Sequence, residues 1–179
     1  MMEYKVGIMN EADVDRALMR ISHQIVERNH GTDNLCLIGI KTRGIPLAHR
    51  IAGNIKKIEN TKIEVGEIDI TLYRDDLSLI NTEPIVNRSA VDFSVVGKTV
   101  ILVDDVIFTS RTARAALEAV MKLGRPAKVE LAVLIDRGHS ELPIKATYVG
   151  KNIPTSLSEV VVVKVTEHDG ETSVSIYNK

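Results

Sequence analysis

VILVDDVIFTSRTARAA, residues 100–116, runs from a continuous apolar segment through two adjacent acids and small hydroxyl residues into an alanine-rich tail. The apolar part reads as a strand buried on both faces, as in a parallel sheet. Residues 111–123 read as a helix stopped by Gly124 and Pro126. Phe108, Thr109, Ser110, Arg111 and Thr112 therefore join the C-terminal end of a strand to the start of a helix. Helix N-termini carry unpaired N–H groups and a partial positive charge, and open α/β sheets bind ligands outside the carboxyl ends of their strands. An anion there would meet backbone N–H groups and the hydroxyls of Thr109, Ser110 and Thr112, which is a phosphate site. Asp104 and Asp105 repel phosphate but accept hydrogen bonds from hydroxyls, as acids near phosphate loops do for a ribose diol. Phosphate on one side and vicinal hydroxyls on the other describe a ribose 5-phosphate. Two other readings stay open: a solvated strand end with a helix cap, and a phosphoacceptor receiver domain. In a receiver the paired acids follow the first strand, whereas here earlier strands precede them. Neither GxxxxGK[ST] nor GxGxxG occurs.

Outward from this stretch the chain alternates strands and helices. Asn10 and Asp13 suit a helix N-cap and first turn. Val14, Ala17, Leu18, Ile21 and Ile25 follow at helical spacing up to Gly31. The opposite face carries Arg16, Arg20, His23 and Glu27. LCLIGIK (35–41) is a second buried strand, TRG a turn, and 45–58 a helix. Residues 65–73 alternate as a half-exposed strand. Residues 74–92 show no period, and a loop of that length is usually functional. VELAVLI (129–135) is a further buried strand. EVVVVKV and TSVSIY flank HDGE, whose Asp169-Gly170 pair predicts a hairpin turn. The pattern argues for one α/β domain over 1–179, with a mainly parallel central sheet flanked by helices.

Composition bounds the partners. The chain has 179 residues, 44% apolar and 26% charged, which is ordinary for a globular protein. Aromatics are 3%, and the net charge is −1, so any nucleic acid must be met by a local basic patch. Cys36 is the single cysteine, inside an apolar run, and reads as a buried bystander. The first residues do not resemble a signal peptide, and no apolar run approaches the roughly 20 residues of a membrane span. Cytoplasmic localisation without a membrane partner is the default expectation.

Four segments together resemble the bacterial PyrR family of type I phosphoribosyltransferases: GIKTRG, VGEIDITLYRDDLS, the opening stretch, and LIDRGHSELPIKATYVGKNIPTS. The likeness spans roughly residues 10 to 165. It implies the type I phosphoribosyltransferase fold with a small hood (136–158), a flexible flap (74–92) and a C-terminal β-hairpin. It implies transfer of ribose 5-phosphate from phosphoribosyl diphosphate to uracil, giving UMP and diphosphate. It also implies UMP-dependent binding of a stem-loop in pyrimidine operon leader mRNA, which attenuates transcription. On this resemblance Asp104 and Asp105 meet the ribose hydroxyls, and residues 106–112, Val106 and Ile107 included, form the phosphoribosyl loop. Lys41, Thr42, Arg43 and Gly44 match the diphosphate loop, with Gly44 permitting close backbone approach. Arg74, with Arg88 as the weaker candidate, would reach the diphosphate from the flap. Arg137 and nearby backbone groups would read uracil. Mg²⁺ would be held mainly by diphosphate and water, without dedicated protein ligands. Arg20, His23, Arg28, His139 and Lys151 match the RNA surface, and Arg16 joins them by helical phase. A homodimer or larger homo-oligomer is implied.

Four positions depart from the family pattern. Ser110 replaces a Gly inside the phosphate loop, which is costly if that position needs a positive φ. Phe108 replaces a Tyr. Ser140 replaces an Arg and Met19 a Thr. A nucleotide-sensing regulator with weak catalysis, and a transferase for another base without an RNA role, are the rival readings. Phe108 disfavours a purine, whose transferases carry an acid there.

Overall fold

The computed structural model describes residues 2–70 and 90–179. In chain order the elements are β1 (Glu3–Met9), α1 (Glu11–Arg28), β2 (Leu35–Ile40), α2 (Gly44–Glu59) and β3 (Glu64–Ile68). After these come β4 (Thr99–Ile107), α3 (Arg111–Leu123), β5 (Lys128–Asp136), β6 (Tyr148–Asn152), β7 (Glu159–Lys164), α4 (Thr166–Asp169) and β8 (Ser173–Asn178).

Five strands form a parallel sheet in the order β3-β2-β4-β5-β6. β2 and β4 read as near-continuous apolar runs because both of their faces are covered. Leu35, Leu37, Ile101 and Val103 point into one core, with α1 and α2. Cys36, Ile38, Val100 and Leu102 point into the other, under α3. Ala113, Ala115, Ala116 and Ala119 of α3 are buried, and these short side chains let the helix lie close on the sheet. Asn10 caps α1 as expected: its side chain accepts from the Asp13 N–H at 2.9 Å, and Asp13 accepts from the Asn10 N–H at 3.1 Å.

A second sheet, in the order β1-β8-β7, is antiparallel throughout. The predicted hairpin is there, but its connection is not a two-residue turn. Residues Thr166–Asp169 make one turn of helix, and Gly170 ends it at φ 77°. β1 carries no alternation that would announce it. It is an edge strand, mostly exposed, held by its register on β8 and by the Lys5–Glu159 ion pair. Tyr148–Asn152, inside the segment expected as a hood, is the fifth strand of the main sheet.

The order of strands places the site. From β2 the chain goes to one neighbour, β3, and then returns to the other side of β2 to build β4. The strand order therefore reverses between β2 and β4, and a crevice opens at their carboxyl ends. β2 pairs with β4 only as far as Gly39 and Val103, while β4 continues beside β5 to Ile107 and Asp136. β4 thus outruns β2 by the segment that begins with Asp104 and Asp105.

Candidate active site

A cleft of about 440 Å³ fills this crevice. Lys41, Thr42 and Arg43 border it from the end of β2. Asp104, Asp105, Val106, Ile107, Phe108, Thr109, Ser110 and Thr112 border it from β4 and the start of α3, and Arg137 from the loop after β5. Of the anticipated sugar and phosphate residues, Gly44 and Arg111 do not line it. Arg74 and Arg88 lie outside the described residues. Ile70, Ala113 of α3, Leu131 and Val133 of β5, and Val161 of β7 complete the wall. Sequence reading missed them because they belong to four different segments that only the fold brings together.

The acids, expected at the strand's end, are part of β4, which runs on to Ile107. The Asp105 N–H donates to Asp104 Oδ1 at 2.9 Å, and the Val106 N–H donates to Asp105 Oδ1 at 2.7 Å. Burial raises the Asp105 carboxyl above its ordinary range; the Val106 amide, Asp104 and Arg43 pull the other way. A desolvated carboxylate beside a cleft gains strongly from a hydroxyl donor, since a buried acceptor left unmatched is costly.

Ser110 precedes α3 with φ 69° and ψ 5°, the left-handed conformation that its departure from glycine put in question. Its side chain turns from the helix end and bonds to Ser140 Oγ at 2.7 Å and to the Ile144 carbonyl at 3.0 Å. Two departures from the family pattern thus meet in one hydrogen bond. The first turn of α3 holds no acid, so its amide groups suit an anion.

The cations of the first loop are engaged. Lys41 Nζ lies 2.9 Å from Asp69. Arg43 presents a paired fork, as expected, but to a protein carboxylate: Nε and Nη2 reach Asp169 at 3.0 and 2.7 Å. Gly44 serves a contact different from the one expected. A Cβ there would stand 2.3 Å from the Val103 carbonyl oxygen, so its bareness lets α2 start against β4.

Arg137 is a buried strut. Its Nε donates to Thr155 Oγ1 at 2.9 Å, and its Nη2 to the Ser156 and Glu159 carbonyls at 3.0 and 2.8 Å. Its guanidinium carbon lies 4.0 Å from the centre of the Phe108 ring, a cation–π distance. The His139 ring meets Phe108 edge-on at 5.7 Å, and its Nε2 lies 2.5 Å from the Thr155 carbonyl.

Of the basic residues singled out for RNA, Arg16, Arg20 and Lys151 share a groove of about 420 Å³ between α1 and β6. Arg16 pairs with Asp13 at 2.6 Å, and Arg20 donates to the Gly150 carbonyl. His23 is exposed on α1. Arg28, on the last turn, lies 3.3 Å from the buried Glu130. His139 sits apart from this groove, against Phe108. Cys36 is fully buried, and burial pushes its thiol up to about 11, so it is an inert core residue. Among the described residues no cluster of three or more His, Cys, Asp or Glu is arranged to hold a metal ion. Nor is any helix there long and apolar enough to cross a membrane.

The phosphoribosyl transferase domain family model matches residues 10–169. The chain is 57% identical over 172 residues to the bifunctional protein PyrR of Clostridioides difficile, covering 96% of this chain and 97% of that one. It is 56% identical over 178 residues to the bifunctional protein PyrR of Thermus aquaticus, covering 99% and 98%. Among solved structures it resembles the hypoxanthine phosphoribosyltransferase of Trypanosoma cruzi, with a TM-score of 0.74 at 18% identity, covering 98% and 97%. That of Staphylococcus aureus gives a TM-score of 0.71 at 19% identity, covering 97% and 92%. At such identities the structural likeness concerns the fold.

Proposed function

The chain belongs to the PyrR family of phosphoribosyltransferases, and from that premise we propose how its cleft and surface divide the two tasks of a bifunctional protein. It is a uracil phosphoribosyltransferase and a regulator of pyrimidine operon expression. One observation carries the catalytic assignment: Asp104 and Asp105 lie where β4 outruns β2, between the loop at Lys41–Arg43 and the α3 N-terminus, all on one cleft.

In this reading the 5-phosphate sits against the amides that open α3 and the hydroxyls of Thr109 and Thr112. The ribose hydroxyls bond to Asp104 and Asp105. The diphosphate lies toward Lys41–Arg43. The bond from the anomeric carbon to diphosphate breaks as the uracil ring nitrogen bonds to that carbon, and the nitrogen's proton passes to the departing diphosphate or to water. Positive charge on the ribose is met by the two carboxylates, so the protein works by placement and electrostatics and needs no nucleophile. The two acids suit a hydrated Mg²⁺ carried by the diphosphate, and the ion would offset charge on the leaving group. Uracil lies by Phe108, at the loop that Arg137 braces. The guanidinium of Arg137 orders that loop, so backbone groups are left to read the base.

Leader mRNA binds the groove between α1 and β6 through Arg16, Arg20 and Lys151, with His23 farther along α1. This role places the protein in the cytoplasm. Self-association belongs to the same proposal and is read by sedimentation. The decisive assay follows uracil-dependent release of diphosphate from phosphoribosyl diphosphate with Mg²⁺, beside a leader-RNA gel shift with and without UMP. Asp105→Asn is expected to lower kcat/KM by about 10- to 100-fold, the worth of one charged hydrogen bond. Unchanged turnover in that variant rejects the diol assignment.

A further inference from the structure

Arg43 borders the cleft, yet its paired donors are turned to a residue 126 positions away. The acceptor, Asp169, closes the one-turn helix between β7 and β8, and its Oδ2 also accepts the Val165 N–H at 2.9 Å. Asp169 is largely buried, its side chain 15% exposed, while that of Arg43 is 31% exposed. A second fork on the same turn joins Arg50 of α2 to Glu167 at 2.8 and 2.7 Å. The two forks differ in their relation to the cleft: Arg43 lines it and Arg50 does not.

Arg43 also feels a competing acid. Asp105 borders the same cleft, and its charge, after that of Asp169, also favours the charged guanidinium. A long, flexible cation between two carboxylates goes to the one that offers two matched oxygens. Asp169 offers both. With Arg43 held there by Nε and Nη2, the other edge of the guanidinium remains for an anion, and Asp105 keeps its acceptor capacity for a hydroxyl.

We propose that Asp169 is a positioning residue for phosphoribosyl diphosphate: it fixes the Arg43 guanidinium at the diphosphate end of the cleft and keeps it off Asp105. This rests on the phosphoribosyltransferase reading above. Asp169 touches no substrate itself; it acts through Arg43. The antiparallel sheet thereby contributes to substrate binding in the parallel one.

Asp169→Asn tests this, because the amide oxygen still accepts the Val165 N–H while the charge and the second matched acceptor are lost. The expected result is a rise of about tenfold in KM for phosphoribosyl diphosphate, with kcat and KM for uracil within twofold, since a tenfold change is one charged contact weakened. Asp169→Glu should return KM to within threefold of the parent. Glu167→Gln, which breaks the Arg50 fork on the same turn, should leave KM for phosphoribosyl diphosphate within twofold. Asp169→Ser replaces the Asn variant if the latter does not fold. An unchanged KM in Asp169→Asn overturns the proposal. So does an equal rise for both substrates, or an equal rise in Glu167→Gln, which would show general undocking of the turn. Calorimetric titration with Mg²⁺ and phosphoribosyl diphosphate separates the two levels of inference. A parent chain that binds but does not turn over rejects the catalytic reading alone, and tenfold weaker binding by Asp169→Asn still supports the positioning role. Equal binding by parent and variant, or none by the parent, rejects the positioning role.

Discussion

Ser110 shows how one residue can hold an unfavourable backbone. For an L-residue the left-handed conformation costs about 1–2 kcal/mol. The hydroxyl offsets this through its bonds to Ser140 Oγ and the Ile144 carbonyl, each worth about 0.5–1.5 kcal/mol. The site thus tolerates serine because its side chain leaves the phosphate loop for the neighbouring loop. Two variants separate the effects. Ser110→Gly should stay within about 1 kcal/mol of the parent, since it loses the bonds and the strain together. Ser110→Ala keeps the strain without the bonds and should be less stable than Ser110→Gly by about 1 kcal/mol. Urea unfolding of the three proteins reads the difference, and an Ala variant as stable as the Gly variant would show that φ 69° costs nothing here.

Among the elements, β4 with its exit loop is tied at several points to the loop after β5. The Arg137 N–H donates to the Ile107 carbonyl at 3.2 Å, and the Glu141 N–H to the Thr109 carbonyl at 3.1 Å. Arg111 Nε reaches Glu141 at 2.9 Å. With the Ser110–Ser140 bond and the Phe108–His139 contact, each residue from 107 to 111 is linked to the loop after β5. The proposed phosphate loop and base loop are thereby tied directly to each other. The start of α2 is set differently, by the absence of a side chain. Gly44→Ala puts a methyl 2.3 Å from the Val103 carbonyl oxygen. Overpacking of this kind costs about 1–3 kcal/mol, a melting-temperature fall of several degrees for a chain of this length. Calorimetric melting checks this. Because the shift moves Arg43 and Thr42 along with the helix, KM for phosphoribosyl diphosphate should rise as well.

At the scale of the whole molecule, ion pairs join the antiparallel sheet to the parallel one. The Arg43 guanidinium holds the Asp169 carboxyl at about 2, down from an ordinary 3.8. A depressed carboxylate stabilises the fold fully above its unfolded value, and the contribution is lost as pH falls through the folded one. The stability gap between the parent and Asp169→Asn should therefore stay constant from neutral pH to about 4.5 and close between about 4 and 2. Urea midpoints along that range give the test; a gap that closes near neutrality contradicts the clamp. The groove proposed for RNA is a separate region of the molecule, on α1 and β6. Arg20→Ala should weaken leader-RNA binding, with a shallower salt dependence, and leave uracil turnover within twofold. Gel shifts at two salt concentrations and the turnover assay read both, and joint loss of both activities would deny separate surfaces.

How much was legible follows from the range of each interaction. The phosphate loop, the acid pair, the capped first helix and the buried strands are local patterns, and residues 100–116 alone implied the ligand class. Periodicity and helix-end chemistry act over a few neighbours, so the amino-acid order determines them directly. β1 escaped notice because an exposed edge strand has no buried face to impose alternation, and its pairing partner is β8 at the other end of the chain. The reading of Arg137 as a base-contacting residue did not foresee its bonds to Thr155, Ser156 and Glu159. Arg74 and Arg88 lie outside the described residues. The chain order by itself pointed to a phosphorylated sugar at the end of β4. Tertiary structure alone decided that Arg43 answers to Asp169, because a contact across 126 positions leaves no local periodic signal and exists only once two sheets have packed.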